Sequence, residues 1–166
     1  MARRSRVELN RSRLDEVRGG LADGVFDLVR AIGVVASNNA PDSPYEPYPT
    51  GKGLPEQIGA MVYVDGKRTA EWSADGQRRP DLPKGQQVRA RGGIIGIVGA
   101  GFPGLFNETG TVNMHAQPFL TPAANDVIGS EAPVILSKAM ARRLSGLRST
   151  NTAKIRARIA AARGGT

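Results

Sequence analysis

Met61-Val62-Tyr63-Val64-Asp65-Gly66-Lys67-Arg68-Thr69-Ala70-Glu71-Trp72 is the stretch on which the fold turns. Two runs rich in β-branched and aromatic residues flank Asp-Gly. Both central positions of a type I′ turn need positive φ, and Asp-Gly supplies it at low cost. The stretch predicts a β-hairpin, and the rest of the chain is read outward from it.

Before the hairpin, Leu14, Val17, Leu21, Val25, Leu28, Ile32 and Val35 recur every three or four residues. That spacing predicts one apolar stripe on a helix from about Asn10 to about Ser37, with Arg13, Glu16, Arg18, Asp23, Asp27 and Arg30 turned to water. Gly19, Gly20 and Gly24 lie in the same segment, each costing about 1 kcal/mol against alanine, so the helix needs packing to hold it. Between helix and hairpin, Pro41, Pro44, Pro47, Pro49 and Pro55 forbid helix and predict an extended loop carrying Tyr45 and Tyr48. After the hairpin, residues 73–91 read as a long polar loop. Ile94, Ile95, Ile97 and Val98 then form a buried strand, and a helical turn covers Pro103 to Glu108. Helices follow at about 122–128 and 130–145, the second capped by Ser130 with Arg142 and Arg143 near its end. The expected class is α+β: an antiparallel sheet of about four strands over 58–115 against a long N-terminal helix and a C-terminal one.

A chain of 166 residues has room for one domain, here 10–146, between a basic arm at 1–9 and a basic tail at 147–166. The formal net charge of +8 is concentrated at the ends. Residues 1–20 hold six basic and three acidic groups, and residues 131–166 hold eight basic groups and Glu131 alone. Basic ends suit nucleic acid or an acidic protein surface. There is no cysteine, which excludes disulfides and thiolate chemistry. The single histidine, His115, cannot supply a two-histidine metal site. No signal peptide or membrane span is expected.

Gly99, Gly101 and Gly104 spell G-x-G-x-x-G after a strand. The segment that follows is too short and glycine-broken for the helix of a dinucleotide-binding unit, and no second parallel strand with a ribose-binding acid can be drawn. Glu108, the one acid in an otherwise uncharged stretch, reads as a structural acid capping Thr109–Thr111 or pairing with an arginine. No catalytic constellation emerges, so no enzyme activity and no cofactor or metal are expected.

Two linked blocks carry a likeness. They are Phe106-Asn107-Glu108-Thr109-Gly110-Thr111 and, after a short spacer, Met114-His115-Ala116-Gln117-Pro118-Phe119-Leu120-Thr121-Pro122-Ala123. Together they resemble the signature of the tail-completion family of small neck proteins from long-tailed bacteriophages. An acid-x-Gly-Thr turn precedes a Pro-Phe-Leu-x-Pro-Ala motif there. Ala40-Pro41, Thr50-Gly51, Leu54 and Ile58 are similar to a further segment of that family, and the order of elements agrees. Residues 42–49 look like an insertion, and Pro133 interrupts the usual C-terminal helix.

The residues of the motif point to joinery. Pro118 keeps Gln117 out of helix, Pro122 suits a first helical turn with Thr121 as its cap, and Phe119 and Leu120 anchor the corner. Gly110 suits a tight turn. The resemblance implies a structural virion protein of the head–tail junction, assembled in the host cytoplasm. It implies a homo-oligomeric ring, commonly a hexamer, of the tail-completion (terminator) or stopper kind. Its partners would be other connector proteins, the tail tube protein and the genomic DNA passing through, with no membrane. Tyr45 and Tyr48 are candidate interface residues; Arg142, Arg143, Arg148, Lys154, Arg156 and Arg158 are candidate contacts to DNA or a partner. The alternative is a free basic nucleic-acid-binding protein. The absence of any aromatic residue from 131–166 disfavours it, since single-strand binders stack bases on aromatics.

Overall fold

A computed structural model describes residues 11–41, 53–76 and 93–146. In chain order these form helix α1 (Arg11–Asn39), a 3-10 turn (Pro55–Gln57), strands β1 (Gly59–Val64), β2 (Lys67–Ser73) and β3 (Ile94–Gly99), and helices α2 (Phe102–Thr109) and α3 (Leu120–Ser130). A further helix, α4, runs over 132–146. The class is α+β.

The hairpin forms where expected. Asp65 and Gly66 take φ of 52° and 75° and join antiparallel β1 and β2. The pairing shifts by one residue between Val62 and Tyr63, so Thr69 bulges from β2 and its hydroxyl donates to the Val62 carbonyl at 3.2 Å. β3 pairs antiparallel with the other side of β1 in unbroken register, from Gly59 opposite Gly99 to Val64 opposite Ile94. Among the described residues the sheet therefore has three strands in the order β2-β1-β3, against about four expected. Past β3, the expected sheet span of 58–115 adds only an isolated bridge between Thr111 and Met114. That bridge closes a tight turn, and Gln117 N–H then bonds Asn107 O, so the segment folds back on α2 and does not join the sheet.

α1 lies across one face of the sheet. Ala60 and Val62 are fully buried beneath Val29, with Trp72 and Val98 beside them. A second cluster joins Ile32 and Ala36 of α1 to Leu54, Ile58, Phe119, Ala123 and Val127. The expected stripe is buried only in part, because Leu14 and Leu21 remain 48% and 40% exposed. What α1 buries instead includes Gly20, Gly24 and Gly33. A Cβ on Gly24 would sit 3.0 Å from Leu136 Cδ2 and 3.2 Å from Ala139 Cβ, and one on Gly20 would sit 2.9 Å from Met140 Sδ. Gly20 and Gly24 form the groove in which α4 crosses α1. The packing that a glycine-bearing helix requires comes from within the chain.

The C-terminal helices differ from expectation in their joint. α3 begins at Leu120, two residues before Pro122, and Ser130 ends α3 instead of capping α4; its hydroxyl donates to the Asp126 carbonyl at 2.7 Å. Glu131 N–H still bonds Val127 O, and Ile135 N–H bonds Glu131 O, both at 2.9 Å. The two helices are thus nearly continuous, interrupted at Glu131. Pro133 lacks the N–H that would reach Gly129, and its ring would clash with that carbonyl. It occupies the first turn of α4, where such a loss is tolerated.

Candidate functional site

The two motif blocks meet in space through one carboxylate. Glu108, in the last turn of α2, accepts N–H donors from the first turn of α3: Phe119 and Leu120 on Oε2 at 2.9 and 3.0 Å, and Thr121 on Oε1 at 2.8 Å. The first N–H groups of any helix lack partners within it, and the helix dipole favours negative charge there. Glu108 is therefore the N-terminal cap of α3, delivered from another helix. This corrects the expectation that it caps Thr109–Thr111 or pairs with an arginine. It also corrects the role given to Thr121, which lies inside the helix and donates to Glu108. Burial acts to raise the Glu108 pKa, but the Thr121 hydroxyl and the Phe119, Leu120 and Thr121 N–H groups outweigh it and hold the carboxyl below its ordinary 4.5.

Gly110 closes the other side of the joint. It ends α2 with φ of 76°, and its N–H donates to the Phe106 carbonyl at 2.7 Å. A Cβ here would lie 2.8 Å from Ala116 N and 2.9 Å from Met114 O. Both the conformation and the space require glycine. Thr111 N–H then bonds Met114 O at 2.8 Å, and Gln117 N–H bonds Asn107 O at 2.7 Å, folding 110–117 back on α2. Phe119 is fully buried in the main core, while Pro118 and Pro122 are exposed on either side. Pro122 stands in the first turn of α3, where the missing donor is not needed.

Two of the three G-x-G-x-x-G glycines are engaged in packing, while a Cβ on Gly99 would meet nothing within 4 Å. A Cβ on Gly101 would sit 2.2 Å from Gln57 Oε1, and one on Gly104 would meet Ala100 at 2.4 Å and Leu54 and Phe119 at 3.5 Å. β3 is antiparallel and α2 has eight residues, so the β-α-β frame that cradles a pyrophosphate is not built. His115 is exposed, and among the described residues no cluster of His, Asp or Glu could hold a metal ion. Among them, too, no helix is long and apolar enough to cross a membrane.

No family model matches this chain, nor does any curated protein or solved structure.

The basic candidates divide. Arg142 pairs with Asp27; Arg143 donates from Nε to Asp23 at 2.8 Å and lies 3.7 Å from Glu16. Both are tied to α1, and the Asp23 hydrogen bond and charge raise the Arg143 pKa further. The acids assigned to water are thus the partners of α4. Their signal was legible: Glu16, Asp23 and Asp27 lie seven and four residues apart, on one helix face. Tyr45, Tyr48, Arg148, Lys154, Arg156 and Arg158 lie outside the described residues.

Proposed function

We propose that this chain is a structural subunit of the bacteriophage head–tail junction, forming a ring of the tail-completion or stopper kind around the DNA channel. The observation that carries the reading is the Glu108 joint. The two halves of the neck-protein signature, eleven residues apart at Glu108 and Phe119, are one physical unit here. Each signature position has a mechanical task in it: acid as cap, glycine as turn, phenylalanine as core anchor, prolines as rigid flanks. A corner held this firmly suits a part that must keep its shape in an assembly. The Glu108 carboxylate is engaged by three N–H donors, which supports a structural task for it.

The basic ends fit a channel protein in a specific way. Arg142 and Arg143 pair with acids of α1, so Arg148, Lys154, Arg156 and Arg158 are the residues we assign to DNA phosphates. Such contact is independent of base sequence and weakens steeply with salt. The reading is tested in infected cells by blocking expression of this chain. Filled heads and finished tails accumulating unjoined, with the chain found at the neck of normal particles by electron microscopy, is the expected result. Joined, infectious particles that lack the chain would overturn the proposal.

A further inference from the structure

Two surfaces of the chain are free of charge although 23% of its residues are charged. The first is a groove of about 490 Å³ floored by α1 and walled by β3 and α3, with Val25, Leu28, Ile94, Val98, Ala124 and Ile128 among its lining and no Asp, Glu, Lys or Arg. It is open: Ile128 is 53% exposed, and the α1 stripe that runs into it ends in the exposed Leu21 and Leu14. Among the described residues β3 is an edge strand of the sheet. The opposite edge, β2, carries Lys67, Arg68 and Glu71 and a bulge, the usual protections of an edge; β3, Ile-Ile-Gly-Ile-Val-Gly, has neither.

The second surface is the turn between α2 and α3. Thr109 to Pro118 contains no Asp, Glu, Lys or Arg. Val112 at its tip is 103% exposed, and Leu105 and Phe106 at its base are also exposed. An apolar tip of this kind on a soluble subunit marks a contact surface.

We infer that the groove of one copy receives the Val112 turn of a second copy. Charge decides the occupant. Burying an unpaired charge in an apolar groove is costly. Each stretch of the chain outside the described residues brings several: residues 1–10, 42–52, 77–92 and 147–166 all contain acidic or basic groups. The Val112 turn brings none. Groove and turn are different surfaces, so the contact is head-to-tail. A head-to-tail contact repeats until it closes into a ring or runs on as a filament. That it closes rests on the ring proposed above; the contact itself does not.

The full-length chain tests this by mass measurement in solution. Val112→Lys spoils the turn and leaves the groove; Ile128→Lys spoils the groove and leaves the turn. Both sites are exposed, and unchanged circular dichroism verifies the fold of each variant. The wild type is expected to associate with rising concentration, and each variant to associate roughly tenfold more weakly or worse. An equimolar mixture is expected to form a dimer and stop there, since only one competent pair remains. A wild type that stays monomeric at about 1 mM, a variant that associates like the wild type, or a mixture that stays monomeric would each overturn the contact. The neck reading fails separately, if particles form without the chain.

Discussion

Trp72 of β2 stands directly over Gly33 of α1: a Cβ at position 33 would lie 2.5 Å from ring carbon Cζ3. Helix and sheet approach here as closely as two backbones with one intervening indole allow. The consequence is a conflict between local and tertiary preference. Alanine is favoured over glycine in a helix by about 1 kcal/mol, but overpacking a core costs about 1–3 kcal/mol. The Gly33→Ala variant is expected to be less stable than wild type in urea titration. Trp72 is the only tryptophan, so the same change should shift the emission spectrum of the native state.

Removing the cap at Glu108 should unfasten α3. Glu108→Ala leaves the partly buried Phe119 and Leu120 N–H groups without their acceptor, and hydrogen bonds to a charged group contribute about 1.5–3 kcal/mol. A loss of about 2–4 kcal/mol is expected, read as a fall in thermal midpoint of roughly 5–12 °C for a domain of this size.

The same residue gives a pH dependence of definite sign. The folded carboxyl titrates below its ordinary 4.5, so between the two values the unfolded chain binds more protons, and stability rises with pH. The contribution is complete above pH 4.5 and is lost as pH falls through the folded value. The stability gap between wild type and Glu108→Gln should therefore be constant near neutrality and narrow below about pH 4.5. A gap that widened on acidification would contradict the capping role.

Gly110 and Gly129 should respond oppositely to alanine. At Gly110 the positive φ and the 2.8 Å approach to Ala116 N both oppose a side chain, so Gly110→Ala is expected to cost about 2 kcal/mol or more. A Cβ on Gly129, inside α3, meets nothing within 4 Å, so Gly129→Ala is expected to add about 0.5–1 kcal/mol. Chemical denaturation of the two variants side by side checks both.

If the arginines of α4 are held by α1, they contribute little to DNA binding. Arg142→Gln with Arg143→Gln should leave the slope of log affinity against log salt within about one unit of wild type. Replacing Arg148, Lys154, Arg156 and Arg158 together by glutamine should reduce that slope by about three units. Fluorescence titration with duplex DNA at several salt concentrations separates the two.

Some of this fold was legible in the residues and some was not, for reasons that differ by position. The Asp65-Gly66 turn acts within four residues, and its φ values are those its sequence dictates. α1 was legible as a helix, within two residues at each end, because its periodicity is local. Its buried face was not. Large apolar side chains mark a stripe that includes Leu14 and Leu21, whereas the closest packing falls on glycines, whose burial depends on what approaches them. The partner of Glu108 was hidden too. An acid thirteen residues from Thr121 shows no spacing signal, since the intervening chain folds back on itself.

By itself, the amino-acid order determined the class of the fold, the hairpin, the long first helix and the rigid corner residues. Each follows from torsional preference or periodicity within a few neighbours. Tertiary structure alone decided that Glu108 caps α3, that Arg142 and Arg143 pair with acids of α1, and that an uncharged groove and turn stay open. Those outcomes depend on which distant backbone and side-chain groups the close helix and sheet crossings bring within a few ångströms, and no local pattern encodes that.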